Sequence, residues 1–157
     1  MRQKTKGQSL VEMALILPIL LMVIFGIVDL GYYVYGYSTI YQAARNGSEK
    51  ASQVPPTMAN VGNTSNPCTN AILAETAKGA VLFPDVKNYV QISYPNNLRE
   101  LGEPVQVAIV YTIEPLTPLF NFVPLGNRGV MTVRVAARRT IESLGNNPNY
   151  ENGLACN

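Results

Sequence analysis

Histidine is absent from this sequence of 157 residues, and cysteine occurs only twice. Without histidine the chain lacks the commonest general base and the commonest zinc ligand. The sequence also shows no pattern of paired carboxylates and no glycine motif of the kind that cradles a phosphate. We therefore expect neither an enzyme nor a protein that holds a cofactor or a metal ion.

Basic residues are few, and three of them, Arg2, Lys4 and Lys6, lie within the first seven positions. The formal net charge of +2 becomes −1 when these seven residues are left out. Because no basic surface remains in the rest of the chain, the sequence predicts no binding to nucleic acid.

The basic segment MRQKTKG leads directly into an apolar run from Leu10 to Val28, which only Glu12 interrupts. A run of about 20 apolar residues can span a membrane, and preceding positive charges stay on the cytoplasmic side. A cleaved secretory signal is the rival interpretation, but its apolar region is usually about 7 to 15 residues long, and no A-x-A site follows here. The sequence thus predicts a membrane segment, and the chain that follows this segment is expected on the outer side of the membrane.

Helical periodicity continues past this run as far as Val54-Pro55-Pro56, which cannot extend a helix. We therefore predict one helix over residues 8–53. Residues 57–67 are small and polar and predict a loop, and Thr69 to Phe83 predicts a second, shorter helix that ends at Pro84. Its predicted inward face consists of Ile72, Leu73, Thr76, Ala80 and Phe83.

Alternation of apolar and polar residues then predicts three strands, around residues 90–94, 105–113 and 131–139. The expected fold is α+β: a long N-terminal membrane and stalk α-helix, a short helix, and a head with a small antiparallel β-sheet. The expected domains are a cleaved leader (1–7), a transmembrane and stalk helix (8–53) and a globular head (54–157).

Two further segments have distinctive compositions. Residues 114–129, EPLTPLFNFVPLGNRG, form a connection that is too apolar for an ordinary solvated loop, so they must cover a core or meet a partner. The tail from Gly145 is rich in asparagine and glycine and has no periodicity, so we expect it to be disordered unless Cys156 ties it down.

The two cysteines, Cys68 and Cys156, form neither a CxxC motif nor a metal-ligand spacing. We predict a structural disulfide between them, since such bridges persist in oxidising compartments, and two buried thiols are the alternative. A bridge would stabilise the fold by roughly 4 to 5 kcal/mol in the chain-entropy model. Glycosylation acceptor patterns begin at Asn46 and Asn63, of which Asn63, in the polar loop, is the better candidate.

The segment from Gly7 to Glu12 places an ionisable side chain near the start of the apolar run. At mid-bilayer such a residue costs about 2.5 to 3.5 kcal/mol and marks function, whereas near the membrane edge it can reach water. This segment resembles the type IV prepilin signal, in which a membrane peptidase cuts after the glycine. The resemblance implies cleavage between Gly7 and Gln8, with Glu12 then fifth in the mature chain.

The same resemblance implies a role for Glu12 in assembly. Its carboxylate would complement the new terminal amine, on Gln8, of a neighbouring subunit. A buried pair of opposite charges approaches energetic balance and fixes the axial register of the two chains, whereas an isolated buried charge is prohibitive.

Over the first third of its length the chain resembles the TadE-like family of tight-adherence pilins, with their G-x-x-LVE-x-A-x-x-x-P start and AAR-x-G segment. The matching positions are Gly7, Leu10, Val11, Glu12, Ala14, Pro18, Phe25, Gly26, Ala43, Ala44, Arg45 and Gly47. Within the helix, Pro18 and Gly26 mark either a tolerated kink or a stretch that melts during assembly.

This resemblance implies a structural subunit of an extracellular type IV pilus of the tight-adherence kind, serving adhesion or surface attachment. The implied partners are further copies of the chain in a helical filament, the prepilin peptidase and the inner-membrane assembly platform. The precursor would reside in the cytoplasmic membrane and the mature subunit at the cell surface. The alternatives are a minor pilin that primes assembly or carries an adhesive tip, and a signal-anchored envelope protein that never polymerises.

Overall fold

A computed structural model describes residues 8–122 and 128–144 of the chain. These residues fall into two compact units. One unit contains residues 8–35, 113–122 and 128–131, and the other contains residues 36–112 and 132–144.

The first helix, α1 (Gln8–Gln53), has 46 residues and continues without interruption through Pro18. It ends where the sequence predicts, because Pro55 and Pro56 follow and neither has an N–H to continue the hydrogen-bond ladder. Within the described residues, α1 is the one helix that is long and apolar enough to cross a membrane.

The second helix, α2 (Pro67–Gly79), differs from the predicted Thr69–Phe83 at both ends. It begins two residues earlier because the Asn66 side chain accepts hydrogen bonds from the N–H groups of Cys68 and Thr69, at 3.0 and 3.2 Å. It ends four residues earlier, and a turn follows in which the Phe83 N–H donates to the Ala80 carbonyl. Of the predicted inward residues, Leu73 is only partly buried, while Ile72, Thr76, Ala80 and Phe83 are buried.

The short connections contain local structure that the composition did not predict. The predicted loop over residues 57–67 includes a 3₁₀ helix, Met58–Asn60, and a second 3₁₀ helix, Pro84–Tyr89, leads into the sheet. The Thr69 hydroxyl donates to the Asn60 carbonyl at 2.9 Å, which ties the first of these to α2.

The sheet has three strands in the order β1 (Val90–Ser93), β2 (Pro104–Ile113) and β3 (Met131–Thr140). Strand β1 is antiparallel to β2, with Val90 opposite Ile109 and Ser93 opposite Gln106. Along β2 buried side chains alternate with partly exposed ones, as the period-two pattern predicts. The predicted α+β fold with a small antiparallel sheet is therefore confirmed, while the division into leader, stalk and head stays a prediction.

A connection that no predicted element covered, between β2 and β3, contains a short helix, α3 (Leu119–Phe122). The predicted tail from Gly145 lies outside the described residues, as do residues 123–127 of this connection.

The main apolar core joins the C-terminal half of α1, helix α2 and one face of the sheet. Its members are Ala51, Val54, Cys68, Ile72, Ile92, Tyr94, Val105, Val107 and Ile141. Beside this core the two helices approach closely at glycines. A Cβ atom built on Gly79 would lie 2.7 Å from the Ala43 Cα, and one on Gly47 would lie 2.3 Å from the Thr76 hydroxyl oxygen. Neither position has room for a side chain.

We expect Gly47→Ala to destabilise the full chain by about 1 to 2 kcal/mol, because the overpacking cost exceeds the gain in helix propensity. Thr76 cannot move aside freely, since it is fully buried and its hydroxyl donates to the Ile72 carbonyl at 2.8 Å. Urea unfolding in detergent micelles, followed by circular dichroism, measures the change.

Gly31→Ala is the matched control for this substitution, since it lies in the same helix and a Cβ there meets no atom within 4 Å. It should leave stability unchanged or raise it by up to about 1 kcal/mol. Equal effects of the two substitutions would contradict the packing explanation, and adding Thr76→Ala should partly rescue Gly47→Ala.

Tyr94 is a buried member of the main apolar core and contacts the turn that follows α1. Its hydroxyl donates to the Pro56 carbonyl at 2.5 Å, and the Arg99 guanidinium donates to the Pro55 and Leu144 carbonyls, each at 3.0 Å. Burial raises the pKa of Tyr94 from 10.0 to about 12, against an opposing effect of the Arg99 charge. The neutral phenol is therefore the form that the fold requires.

This raised pKa predicts a loss of stability at high pH. Below pH 10 the phenol is neutral in both states; between pH 10 and 12 the unfolded chain releases this proton first, so unfolding becomes more favourable as the pH rises. Tyr94→Phe should flatten the pH dependence of the unfolding free energy in this window. Below pH 10 the variant should be less stable by about 0.5 to 1.5 kcal/mol, because it lacks the hydrogen bond. Urea titrations of both proteins at several pH values test this, and parallel pH profiles would contradict it.

Candidate functional site

The first turns of α1 present an apolar surface all around the helix. Between Leu10 and Val28, fourteen large apolar side chains are each at least 40% exposed in the single chain. Burial of one such side chain is worth about 1.5 to 3 kcal/mol, so water is an unfavourable environment for this surface. No described residue of the chain covers it, which favours contact with lipid or with other protein chains.

Glu12 lies within this apolar surface, and its side chain is exposed. It is four residues after Gln8, so the two positions share one face of the helix, about one turn apart. Gly7 lies outside the described residues, and of Gln8 only the helical backbone is described. The predicted cleavage between Gly7 and Gln8 and the assembly role of Glu12 remain predictions.

Two helix-disrupting residues lie further along the same surface. Both Pro18 and Gly26 are helical, and a Cβ atom on Gly26 would meet no atom within 4 Å. Packing against the described residues therefore gives no reason for glycine at position 26. Whether these positions kink or melt during assembly stays a prediction.

The apolar surface ends at a buried carboxylate that the sequence analysis did not single out. Asp29 is 1% exposed, and its Oδ1 accepts the N–H groups of Leu116 and Thr117, at 3.0 and 2.9 Å. Its Oδ2 accepts the Thr117 hydroxyl at 2.5 Å. The signal that points to Asp29 is an acidic residue directly after a long apolar run. Its partners, some ninety residues away, have no signal in the sequence.

One turn after Asp29, Tyr33 makes a second contact with the same connection. Its hydroxyl donates to the carbonyl of Gly129. Gly129 has a φ of +76°, and a Cβ atom there would lie 2.4 Å from the Phe120 ring, so glycine is required on both grounds. Together these contacts attach the described part of the connection between β2 and β3 to α1. That the whole connection covers a core or meets a partner stays a prediction.

The AAR-x-G segment of α1 divides into buried and exposed members. Ala43, Ala44 and Gly47 are buried where α1 packs on α2 and on the sheet. Arg45 is exposed and lines an open groove of about 300 Å³ together with Arg138 and Arg139 of β3. Packing therefore explains three of the four residues, and the arginine faces solvent.

The two modification candidates lie in different environments. The exposed Asn63 is in a turn, where its side-chain oxygen accepts the Ser65 N–H at 3.0 Å, so a glycan there would meet no packed surface. Cys68 is buried at the start of α2, and Cys156 lies outside the described residues. Their pairing therefore stays a prediction.

A cavity of about 1000 Å³ is lined mainly by residues of α2, β1 and β2. Lys87 is the one charged residue in its described lining. Within residues 8–122 and 128–144, no three His, Cys, Asp or Glu side chains come together in a way that could hold a metal ion. This cavity offers no constellation to which a reaction can be assigned.

The described residues contain an apolar helix long enough to cross a membrane and a small α+β fold, an arrangement consistent with a pilin-like fold. The family model described as "TadE-like protein" matches residues 7–49. The predicted resemblance is therefore confirmed for this segment, which is less than half of the chain and contains both Glu12 and the AAR-x-G residues. Neither the curated proteins nor the solved structures give a match.

This match associates the chain with tight-adherence pili, and the TadE-like family is not a family of enzymes. The apolar first helix agrees with a membrane anchor.

Proposed function

We propose that this chain is a structural subunit of an extracellular type IV filament of the tight-adherence kind. The precursor is held in the cytoplasmic membrane by α1, and the mature subunit assembles with further copies through the same helix for adhesion or surface attachment. The observation that supports this most is the fully apolar exterior of α1 from Leu10 to Val28, with one carboxylate, Glu12, within it. Lipid covers this surface before assembly, and neighbouring copies cover it afterwards.

In this proposal the prepilin peptidase cuts between Gly7 and Gln8, and the inner-membrane platform then moves the mature chain into the filament. The new amine of one copy faces Glu12 of another. The pairing neutralises two charges that would otherwise enter the apolar filament core at a cost of several kcal/mol each. No catalytic step is assigned to this chain.

Processing supplies the first test. The mature chain should begin at Gln8. A variant in which a bulky residue replaces Gly7 should accumulate as an uncut precursor, because the proposed peptidase cuts after this glycine. Mass spectrometry of amino-terminal peptides from membranes and from sheared filaments measures both. Recovery of residues 1–7 on the assembled protein would contradict the cleavage and favour a signal-anchored protein that does not polymerise.

The second test addresses Glu12. Glu12→Gln keeps size and hydrogen bonding but removes the charge, so cleavage should persist while filament yield falls sharply, because an unpaired amine enters the apolar core. Glu49→Gln is the matched control, since Glu49 is an exposed glutamate of the same helix beyond the apolar run, and it should assemble normally.

Electron microscopy of sheared filaments, with immunoblots for equal expression and processing, measures the yields. Normal filaments from Glu12→Gln would show that Glu12 reaches water at the membrane edge and has no part in assembly. The protein composition of the wild-type filaments separates a subunit of the shaft from a minor pilin or an adhesive tip. A shaft subunit should be the main protein in them.

A further inference from the structure

The connection between β2 and β3 exposes apolar side chains next to the end of the apolar surface of α1. We call residues 114–120 the interfacial segment. Leu116 is 65% exposed, and Leu119 and Phe120 are partly exposed. An exposed leucine alone needs no explanation, but this one has its backbone fixed at a particular place on α1.

That place is defined by Asp29, the residue that follows Val28 at the end of the apolar run. The Leu116 N–H lies 3.0 Å from the Asp29 Oδ1, and two further hydrogen bonds from Thr117 complete the attachment. At a rise of about 1.5 Å per residue, the run from Leu10 to Val28 is close to the roughly 30 Å thickness of a hydrocarbon core. When α1 spans a bilayer, Asp29 therefore lies at its outer boundary.

We propose that the interfacial segment lies in the headgroup region of the outer leaflet, with the Leu116 side chain in contact with lipid, and that Asp29 sets its depth. This inference rests on the proposed membrane-anchored precursor. The lipid surface is the occupant because the exposed Leu116 continues the apolar surface of α1 at the level where that surface ends. The apolar face of an interfacial helix enters about 5 to 10 Å into the boundary between headgroups and acyl chains, and Leu116 should do the same.

Asp29 is suited to this depth because both of its carboxylate oxygens accept hydrogen bonds. A carboxylate near hydrocarbon is costly unless donors satisfy its oxygens, and here two backbone N–H groups and one hydroxyl do so. The same bonds satisfy backbone N–H groups of the segment, which would otherwise be costly to place beside lipid. Asp29 acts as a positioning residue.

The experiment uses the absence of tryptophan from the chain. Leu116→Trp in the full chain, reconstituted into phosphatidylcholine vesicles, gives a single emission signal that lipids brominated at defined acyl-chain depths can quench. Leu20→Trp and Leu30→Trp, both exposed positions on α1, calibrate the middle of the apolar run and the level just beyond its outer end. We expect the quenching profile of Leu116→Trp to match that of Leu30→Trp and to be shallower than that of Leu20→Trp.

The role of Asp29 is tested in the Leu116→Trp background. Asp29→Ala removes all three hydrogen bonds that the carboxylate accepts and should lower quenching by at least about twofold. Asp29→Asn keeps one amide oxygen as an acceptor and should retain most of the quenching. Asp85→Ala is the matched control, since Asp85 is an exposed carboxylate outside this connection. It should leave the profile unchanged. Circular dichroism confirms equal helix content.

The outcomes are distinguishable. Quenching of Leu20→Trp without quenching of Leu116→Trp would overturn the lipid contact while the membrane anchor stands, and would favour a second copy of the chain as the occupant. Absence of quenching in Leu20→Trp would remove the anchor and with it both proposals. A profile that Asp29→Ala leaves unchanged would overturn the positioning role of Asp29.

Discussion

The close approach of α1 and α2 is the constraint on which the packed part of the molecule depends. At Gly79 the helices come so near that a methyl group would meet the backbone of Ala43, and at Gly47 it would meet Thr76 and Val107. Helices approach this closely only where side chains are absent or small. The contact fixes where α2 lies on α1, and the sheet then closes the core from the side of Val107.

The same helix thus meets two environments along its length. From Leu10 to Val28 its surface is apolar on every side, whereas from Ile40 onward one stripe is buried and the other sides face water. Asp29 lies where the first pattern ends. A helix that is apolar all round belongs in lipid or in a protein core, and an amphipathic one belongs on the surface of a folded domain. One helix therefore combines a surface of the kind found in lipid or in a protein core with a surface typical of a folded domain.

Local signals predicted most of the elements. The bounds of α1 follow from the apolar run and from Pro55 and Pro56, and the strands follow from alternation over β2 and β3. The bounds of α2 were wrong because two local signals were not recognised: the cap formed by Asn66 at its start, and Lys78 followed by Gly79 at its end. Gly79 is explained by its contact with Ala43, which is distant in sequence.

The site was predictable to a similar degree. Glu12 and the AAR-x-G residues have local signatures, whereas the role of Asp29 depends on its hydrogen bond with Thr117. An acidic residue after an apolar run is a visible signal, but the donors that satisfy it come from a connection whose path depends on the whole fold. Contacts of this kind are set by tertiary structure and leave no periodicity in the sequence.

Among the described residues, the order of the strands places β3, with ten residues, at an edge of the sheet. Long open edges recruit the same strand from another molecule unless charges oppose it. If two copies of β3 paired antiparallel about Ala136, Arg134 of one copy would stand opposite Arg138 of the other, on the exposed face of the strand. Like charges at directly opposed positions destabilise such a ladder. The arginines of β3 therefore oppose sheet-to-sheet pairing between copies of this chain.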